Sequence, residues 1–337
     1  MTSAKPASAA AKEKTVRAAL SIVPGSADSL EICDIEEPAP KPDEVVIDVA
    51  AAALNFSDTL MIRDHYQVKP PRPFSPAGEC AGRVIQVGSV VTDFQVGDLV
   101  CAYIGYGAAR ERVTIKESSL VRVPDGVSLQ QAAAVIVTYG TVLYALRDRA
   151  GIREGEALLL TGISGGVGSA AVELGQLLGA RVVACTVADT SALRAQGVDL
   201  FVDPSAPDVK LAVRELTGGN GADVVLDVTG GSLTEQLVRA TAWGGRYLVV
   251  GFAAGEIPHL PLNLVMLKSI DVMGIHWSAW AQRDQVAHRR NTEWLLRQVA
   301  EGSLSPRIDT HLPLAQISDG LSMIIERKVR GKIIITM

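Results

Sequence analysis

A glycine-rich segment directly after an apolar run is the feature that most constrains the fold of this chain. Gly162-Ile163-Ser164-Gly165-Gly166-Val167-Gly168 follows the apolar residues 157–161 and opens a helical pattern that stops at Gly179. Glycine allows a tight turn and a close approach to phosphate, and a helix N-terminus offers unpaired N–H groups and partial positive charge. The segment therefore predicts a loop that binds the pyrophosphate of a dinucleotide; a tight turn without a ligand is the structural alternative.

The residues after this loop alternate between strand-like and helical patterns. Strand-like runs are expected at 181–186, 200–202, 223–228 and 246–250, with helices at 208–216 and 233–242. Such alternation predicts a parallel, doubly wound sheet. Residues 16–137 instead contain short β-like runs broken by Gly and Pro, which is typical of a mostly β unit. Residues 276–337 contain one long amphipathic pattern, at 286–301, and a strand-like end at 332–336.

Composition excludes several classes of protein. Hydrophobic residues make up 48% and charged residues 20% of the 337 residues, which indicates a globular chain. The net charge of −5 and the absence of a basic run argue against nucleic-acid binding. The apolar runs are strand-sized, so no membrane span is expected. The four cysteines form no CxxC pair and predict reduced thiols in a cytoplasmic protein. Residues 1–15 are interpreted as a flexible tail, with an organelle transit peptide as the alternative.

The end of the second strand of the doubly wound unit helps to select the dinucleotide. An acidic residue there would bind the ribose 2′-hydroxyl and repel a 2′-phosphate. Thr186 holds that place here and does not exclude NADPH. Asp189 lies slightly later and either contacts the ribose or caps the next helix. Arg194 is a candidate partner for a phosphate, or a solvated helical residue.

Several motifs in order make the chain resemble the zinc-free quinone oxidoreductase (zeta-crystallin-like) branch of the medium-chain dehydrogenase/reductase superfamily over nearly all of residues 16–337. Each motif alone is weakly specific, whereas their order and spacing together are specific. The motifs are Asn55-Phe56-Ser57-Asp58, Arg63-Asp64-His65-Tyr66, Pro76-Ala77-Gly78-Glu79-Cys80-Ala81-Gly82, Val96-Gly97-Asp98-Leu99-Val100, Thr138-Tyr139-Gly140-Thr141, the glycine loop, Asp227-Val228-Thr229-Gly230-Gly231, Arg327 and Gly331-Lys332-Ile333.

This resemblance implies an α/β fold with two domains. A Rossmann nucleotide-binding domain (138–275) would be inserted into a β-rich, GroES-like catalytic domain built from residues 16–137 and 276–337. Cofactor and substrate would share the cleft between the domains. The family is commonly dimeric through edge strands of the nucleotide domain, so residues 270–274 are the expected edge of a homodimer.

The same resemblance argues against a metal site. Zinc-dependent relatives carry Cys at the position of Asn55 and His at the position of Gly78, and neither ligand is present here. Tetrahedral zinc sites need such thiolate or imidazole ligands. Without a Lewis acid, the expected reaction is hydride delivery to an electrophile, namely a quinone or a conjugated enone.

The resemblance also nominates individual site residues. Tyr66 and Asn55 are the candidate catalytic residues. Tyr66 would contact a substrate oxygen, with a half-buried structural tyrosine as its alternative. Asn55 would orient either the substrate or the nicotinamide carboxamide, with an Asn turn as its alternative. Asp58 is expected to hold neighbouring backbone or Arg63 rather than to act as an acid. The expected cofactor contacts are Thr138, Gly162, Ser164, Gly165, Gly166, Val167, Gly168, Thr186, Gly251, Phe252, Asn263, His276 and Arg327. A helix cap is the alternative for Asn263, and a place in a dimer interface is the alternative for His276.

The predicted cofactor is NADPH, with NADH as a live alternative. Members of the family that prefer NADPH carry a Lys after the second strand and a Tyr after the third, and this chain has neither. The leading hypothesis is an NAD(P)H-dependent reductase of a quinone or an α,β-unsaturated carbonyl. The alternatives are an enoyl-thioester reductase and a nucleotide-binding protein without significant catalysis.

Overall fold

The computed structural model describes residues 14–187 and 190–337, so the predicted tail lies almost wholly outside the described residues, as does Asp189. The N-terminal part consists of short strands, because aliphatic runs are interrupted by Gly and Pro. Its elements are β1 (Thr15–Ser21), β2 (Leu30–Glu36), β3 (Glu44–Leu54), α1 (Phe56–Met61), β4 (Glu79–Val87), β5 (Leu99–Tyr103), β6 (Arg112–Lys116) and β7 (Leu120–Arg122).

A long buried helix, α2 (Leu129–Leu143), leads into the second part of the chain. Ser128 caps its start by accepting a hydrogen bond from the N–H of Gln131 at 3.2 Å. The helix continues as a π-helical segment, Tyr144–Arg149. The combined helix, Leu129–Arg149, is long and apolar enough to cross a membrane, which the sequence did not lead us to expect. However, 78% of its apolar window is buried inside the protein, as in the core helix of a globular domain.

The middle part forms a six-stranded parallel sheet with helices between the strands. Its elements are β8 (Ala157–Leu160), α3 (Gly166–Leu177), β9 (Arg181–Cys185), α4 (Ser191–Ala195), β10 (Leu200–Val202), α5 (Val209–Leu216), β11 (Ala222–Asp227), α6 (Thr234–Ala240), β12 (Thr241–Val249), α7 (Leu262–Lys268) and β13 (Asp271–Gly274). The strand order β10-β9-β8-β11-β12-β13 is that of the doubly wound Rossmann fold. The order reverses between β8 and β11, which is where such sheets bind ligands at the carboxyl ends of their strands.

The C-terminal part returns to the first sheet. Its elements are α8 (Trp277–Arg283), α9 (Gln285–Ala300), β14 (Ile308–Pro313), α10 (Ile317–Ile325) and β15 (Lys332–Thr336). β15 pairs antiparallel with β3 and parallel with β14, which gives the order β14-β15-β3-β4-β5-β7 with β6 on β3. Both ends of the chain thus build one GroES-like sheet, and the parallel sheet is inserted between them. This confirms the predicted fold class.

Helix α2 joins the two sheets. It contacts β3, β4, β5 and β15 on one side and α3 on the other. Ala132, Ala133 and Ala134 are fully buried, because small side chains allow this close approach. The helix therefore carries Thr138, near its middle, into the space between the glycine loop and the GroES-like sheet.

Candidate active site

The glycine loop lies between β8 and α3 and has the geometry of a phosphate cradle. Gly162 adopts a left-handed backbone with φ of +63°. A methyl group on Gly168 would clash with the carbonyl oxygen of Gly162 and the Cα of Ile163. Ser164 is exposed, whereas Gly165, Gly166 and Val167 are partly accessible. Gly165 caps α3 without a side chain, and the first N–H groups of a helix have no intrahelical partner, so the residues fit a dinucleotide phosphate.

A buried carboxylate shapes the neighbouring loop at the end of β11. Asp227 accepts hydrogen bonds from the hydroxyls of Thr161 and Tyr247 at 2.7 and 2.6 Å. It also accepts the backbone N–H groups of Thr229 and Gly230 at 2.9 and 3.1 Å. The loop after β11 is therefore rigidly held beside the glycine loop, where ligands of such sheets bind.

Two predicted cofactor contacts lie on the loop after β12, and a third reaches this loop from the C-terminal part. Gly251 and Phe252 follow β12, and a methyl group on Gly230 would lie 2.9 Å from the Phe252 ring. Arg327, from the C-terminal part, donates a hydrogen bond to the carbonyl oxygen of Ala253 at 2.7 Å. The structure thus brings Arg327 across to the nucleotide-binding side of the molecule.

Three further cofactor candidates belong to the domain of the parallel sheet. Thr186 directly follows β9 and its N–H donates to the carbonyl oxygen of Val202 at 2.9 Å. The Arg194 guanidinium lies 4.6 Å from the centre of the Phe201 ring, so the side chain packs on that ring. Asn263 is exposed within α7, and Pro261 rather than Asn263 occupies the N-cap, so Asn263 is not a cap.

The glycine loop meets the C-terminal strand of the other domain. Gly165 forms an isolated parallel bridge with Gly331. A methyl group on Gly166 would lie 2.9 Å from the Thr138 side chain and 3.2 Å from the Lys332 side chain. The cradle, Thr138 and the start of β15 therefore border one space.

Beneath this space lies a buried ion pair that holds Asn55. The Lys332 ammonium contacts Glu79 Oε1 at 2.7 Å, Asn55 Oδ1 at 2.6 Å and the Leu54 carbonyl oxygen at 2.9 Å. Asn55 Nδ2 donates to Glu79 Oε1 at 2.9 Å, and Glu79 Oε2 accepts the N–H of Val137 at 2.7 Å. The side chains of Lys332 and Glu79 are only 4% and 0% exposed. Asn55 is therefore fixed at both ends of its carboxamide.

Asp58 supports the part of the site around Asn55, which we call the Asn55 corner. Its carboxylate accepts the N–H groups of Asn55 at 2.8 Å and Ala77 at 3.1 Å. Burial raises the pKa of Asp58 to about 7, although the N–H of Asn55 and the charge of Lys332 favour the carboxylate. The expectation that Asp58 holds backbone agrees with these contacts, whereas its expected partner Arg63 donates instead to the Thr59 carbonyl oxygen.

Two tyrosines of the GroES-like domain bear on this part of the site. Tyr66 is half-buried against the core of the GroES-like domain. Burial raises the pKa of Tyr103 above its usual range, the nearby Tyr66 phenol raises it further, and a hydrogen bond with Ser278 lowers it. The pKa of Tyr103 also responds to the charges of Asp58 and Glu79. Tyr103 thus interacts electrostatically with Tyr66, Asp58 and Glu79.

The segment after β13 also borders the site. His276 is exposed and occupies the N-cap of α8. The neighbouring Trp277 is buried, with its ring centre 4.8 Å from that of Tyr103. A methyl group on Gly140 would lie 3.0 Å from the Trp277 ring. His276 is thus held close to the helix that carries Thr138.

In the described part of the chain, no group of three or more His, Cys, Asp or Glu side chains is arranged to hold a metal ion. The Lys332 ammonium lies against Asn55, and a fixed cation there opposes a second one.

Sequence reasoning missed three residues of this site: Glu79, Tyr103 and Lys332. A signal for two of them was present. Lys332 precedes three isoleucines and Glu79 precedes Cys80-Ala81-Gly82, and a lone charge in an apolar strand is seldom buried unless it is paired. That the two charges pair follows only from β3 lying between their strands.

Comparison with known proteins identifies the family of the chain. Residues 41–125 match the alcohol dehydrogenase GroES-like domain and residues 166–291 match the zinc-binding dehydrogenase family. The chain is 34% identical to quinone oxidoreductase-like protein 2 of Mus musculus, over 90% of this chain and 88% of that protein. It is 31% identical to acryloyl-coenzyme A reductase of Metallosphaera sedula, over 94% of this chain and 98% of that protein. The quinone oxidoreductase structure of Pseudomonas syringae pv. tomato DC3000 superimposes with a TM-score of 0.86 at 30% identity, over 96% and 100% of the two chains.

Proposed function

Because the chain belongs to the medium-chain dehydrogenase/reductase superfamily and is of the quinone oxidoreductase type, we propose that it reduces a quinone or an α,β-unsaturated carbonyl with a reduced nicotinamide cofactor and without zinc. One observation carries the proposal. The glycine cradle touches Gly331, and the next residue, Lys332, touches Asn55. A dinucleotide bound in the cradle and a substrate held at Asn55 would therefore share one cleft.

Each residue of the proposed site has a separate role. The loop from Gly162 to Gly168 binds the phosphates, and Thr138 and His276 flank the nicotinamide end. A bound reduced nicotinamide supplies the hydride. Asn55 and Tyr66 donate hydrogen bonds to the substrate oxygen, where negative charge develops, and Tyr66 or solvent supplies the proton. Catalysis is then chiefly positioning and electrostatic stabilisation.

We propose NADPH as the cofactor, with NADH as the alternative. Thr186 is uncharged and follows the second strand of the parallel sheet, so it does not repel a 2′-phosphate. The contacts expected on the far side of the cleft are Gly251, Phe252, Asn263 and Arg327. A direct comparison of the two cofactors decides between them.

A second candidate is the reduction of an enoyl thioester. The observation that favours it is the similarity to an acryloyl-coenzyme A reductase over nearly the whole of both chains. The chemistry at Asn55 and Tyr66 would be the same, because a thioester carbonyl also accepts hydrogen bonds while its β-carbon accepts hydride. The two candidates differ only in the group attached to the carbonyl.

We also propose that the protein is a cytoplasmic homodimer. All four cysteines are free thiols, which suits a reducing compartment. β13 lies at one edge of the parallel sheet, where its backbone can pair with a second copy. The exposed apolar residues on α7 and β13 are Leu262, Met266, Leu267 and Val272.

The proposal is tested by turnover. Purified protein with NADPH or NADH is offered a panel of quinones, enones and enoyl thioesters, and loss of reduced nicotinamide absorbance is followed. Oxidation by a member of the panel is expected. Tyr66→Phe should lower kcat by roughly 10- to 100-fold, since one donor to the developing oxyanion is lost. Cofactor affinity should not change.

Tyr144→Phe is the matched control, because Tyr144 stacks on Trp280 with ring centres 4.4 Å apart and is outside the proposed machinery. It should leave kcat within about twofold of wild type. Binding of a cofactor without turnover of any panel member would favour a nucleotide-binding protein without catalysis and would contradict the proposal.

A further inference from the structure

The side chains of Lys332 and Glu79 contact other residues as well as each other. A buried ion pair is often no more stabilising than well-packed apolar residues, so its presence is not explained by stability. The Lys332 ammonium makes three short contacts, and Glu79 accepts hydrogen bonds from Lys332, Asn55 and Val137. One of the three contacts of each side chain is to the carboxamide of Asn55.

These contacts fix which way the carboxamide faces. Asn55 Oδ1 lies 2.6 Å from the Lys332 ammonium, and Nδ2 lies 2.9 Å from the Glu79 carboxylate. A flipped carboxamide would place its NH2 group against the ammonium and its oxygen against the carboxylate. Both contacts would become repulsive in a buried setting, where electrostatic interactions are strong.

The fixed orientation leaves one donor available. The second hydrogen of Asn55 Nδ2 has only a long contact, 3.4 Å, to the carbonyl oxygen of Ala53. The carboxamide oxygen is already used by Lys332. Asn55 therefore has an N–H to give to a ligand in the cleft, whereas Lys332 already occupies one of the two lone pairs of its carboxamide oxygen.

We propose that Lys332 and Glu79 are positioning residues that lock Asn55 as a hydrogen-bond donor. A donor fixed at this position matches substrates that present an acceptor oxygen, such as a ketone, a quinone or a thioester carbonyl. The inference rests on the proposed role of Asn55 in binding the substrate oxygen.

The lock has a readout that is independent of turnover. The chain contains four asparagines, so selective 15N-asparagine labelling gives four side-chain carboxamide signals, and Asn55→Ala identifies that of Asn55. Glu79→Gln should speed hydrogen exchange of this carboxamide by about tenfold or more, because a neutral partner holds it less firmly. Asn291 is an internal control, since its carboxamide is held in the same way between Arg147 and Asp148, at 2.6 Å each.

The catalytic consequence is tested by a double-mutant cycle on a carbonyl substrate that the wild type reduces. Glu79→Gln should lower kcat by about tenfold or more while leaving cofactor affinity within about twofold. In an Asn55→Ala background the same change should have no further effect, because the pair acts through Asn55. Where Glu79→Gln fails to fold, Glu79→Gln combined with Lys332→Gln removes both charges together and serves instead.

Two results would overturn the inference. One is an unchanged exchange rate of the Asn55 carboxamide in Glu79→Gln. The other is multiplication of the two kcat effects in the double variant, which would mean that the pair acts independently of Asn55. Failure of the wild type to reduce any substrate would instead contradict the proposed function, and the exchange measurement would still test the lock.

Discussion

His288 on α9 lies among aromatic side chains next to the candidate site. Its ring centre is 5.4 Å from that of Trp277, 6.3 Å from Tyr103 and 6.4 Å from Trp280. The side chain is buried and its Nε2 has no hydrogen-bond partner. Burial lowers the pKa of His288 from 6.5 to about 4. The imidazole is therefore neutral in the folded protein and gains a proton on unfolding in mildly acidic solution.

This histidine predicts a loss of stability in acid. Between its folded and unfolded pKa values the unfolded chain binds more protons, so stability falls as the pH drops from about 6.5 towards 4. At a pH of about 5, His288 should cost on the order of 2 kcal/mol of unfolding free energy relative to neutral pH. His288→Gln should remove that part of the loss, as measured by chemical denaturation at both pH values.

His259→Gln provides the control, because His259 is exposed. That variant should retain the acid sensitivity of the wild type. If His288→Gln and the wild type lost the same stability between neutral pH and about pH 5, the neutral buried imidazole would be contradicted.

At the level of elements, the turn from β8 into α3 depends on the absence of a side chain at Gly168. A methyl group there would clash with the Gly162 carbonyl oxygen, so Gly168→Ala must displace the loop. We expect cofactor affinity to fall by about tenfold or more, since the phosphate cradle is distorted. Titration with reduced cofactor measures this change.

Gly126→Ala is a suitable control for this prediction. Gly126 has φ of +85° but no atom within 4 Å of an added methyl group, so the variant carries backbone strain without a clash. It should cost about 1 kcal/mol of stability and leave cofactor affinity unchanged. Wild-type affinity in Gly168→Ala would contradict the proposed cradle.

Elements with a local sequence signal were predictable, whereas elements whose position or limits depend on tertiary contacts were not. The glycine loop and α3 were recognised because glycine spacing and helical periodicity are local signals. The helix expected at 233–242 ends at Ala240, because Thr241 already pairs with Ala222 in the sheet. The position of strand β2 depends on its antiparallel ladder with β1, which no local pattern shows.

The site shows the same division. Asn55 and Tyr66 were named through the motifs that surround them. The partners of Asn55 could not be named, because Glu79 and Lys332 are 253 residues apart and meet only across β3. Their pairing is a property of sheet order and burial, which no local pattern encodes.

For the molecule as a whole, the exposed edge strand of the parallel sheet indicates the oligomeric state. Val272 on the edge strand β13 is 42% exposed. Val272→Lys should shift the protein from twice the chain mass of 35.6 kDa towards a single chain in light scattering, because a charge would be buried in the interface. Val286→Lys, on α9 away from this edge, should remain dimeric. A monomeric wild type would contradict the proposed dimer.

The proposed function requires that one cleft binds a reduced nicotinamide beside Asn55 and Tyr66. The most direct test of this function is a titration of the purified protein with NADPH and with NADH, followed by nicotinamide fluorescence. We expect saturable binding, tighter for NADPH, and loss of the bound signal when an accepted quinone or enone is added. Absence of binding by both cofactors would contradict it and would leave the segment from Gly162 to Gly168 as a structural turn.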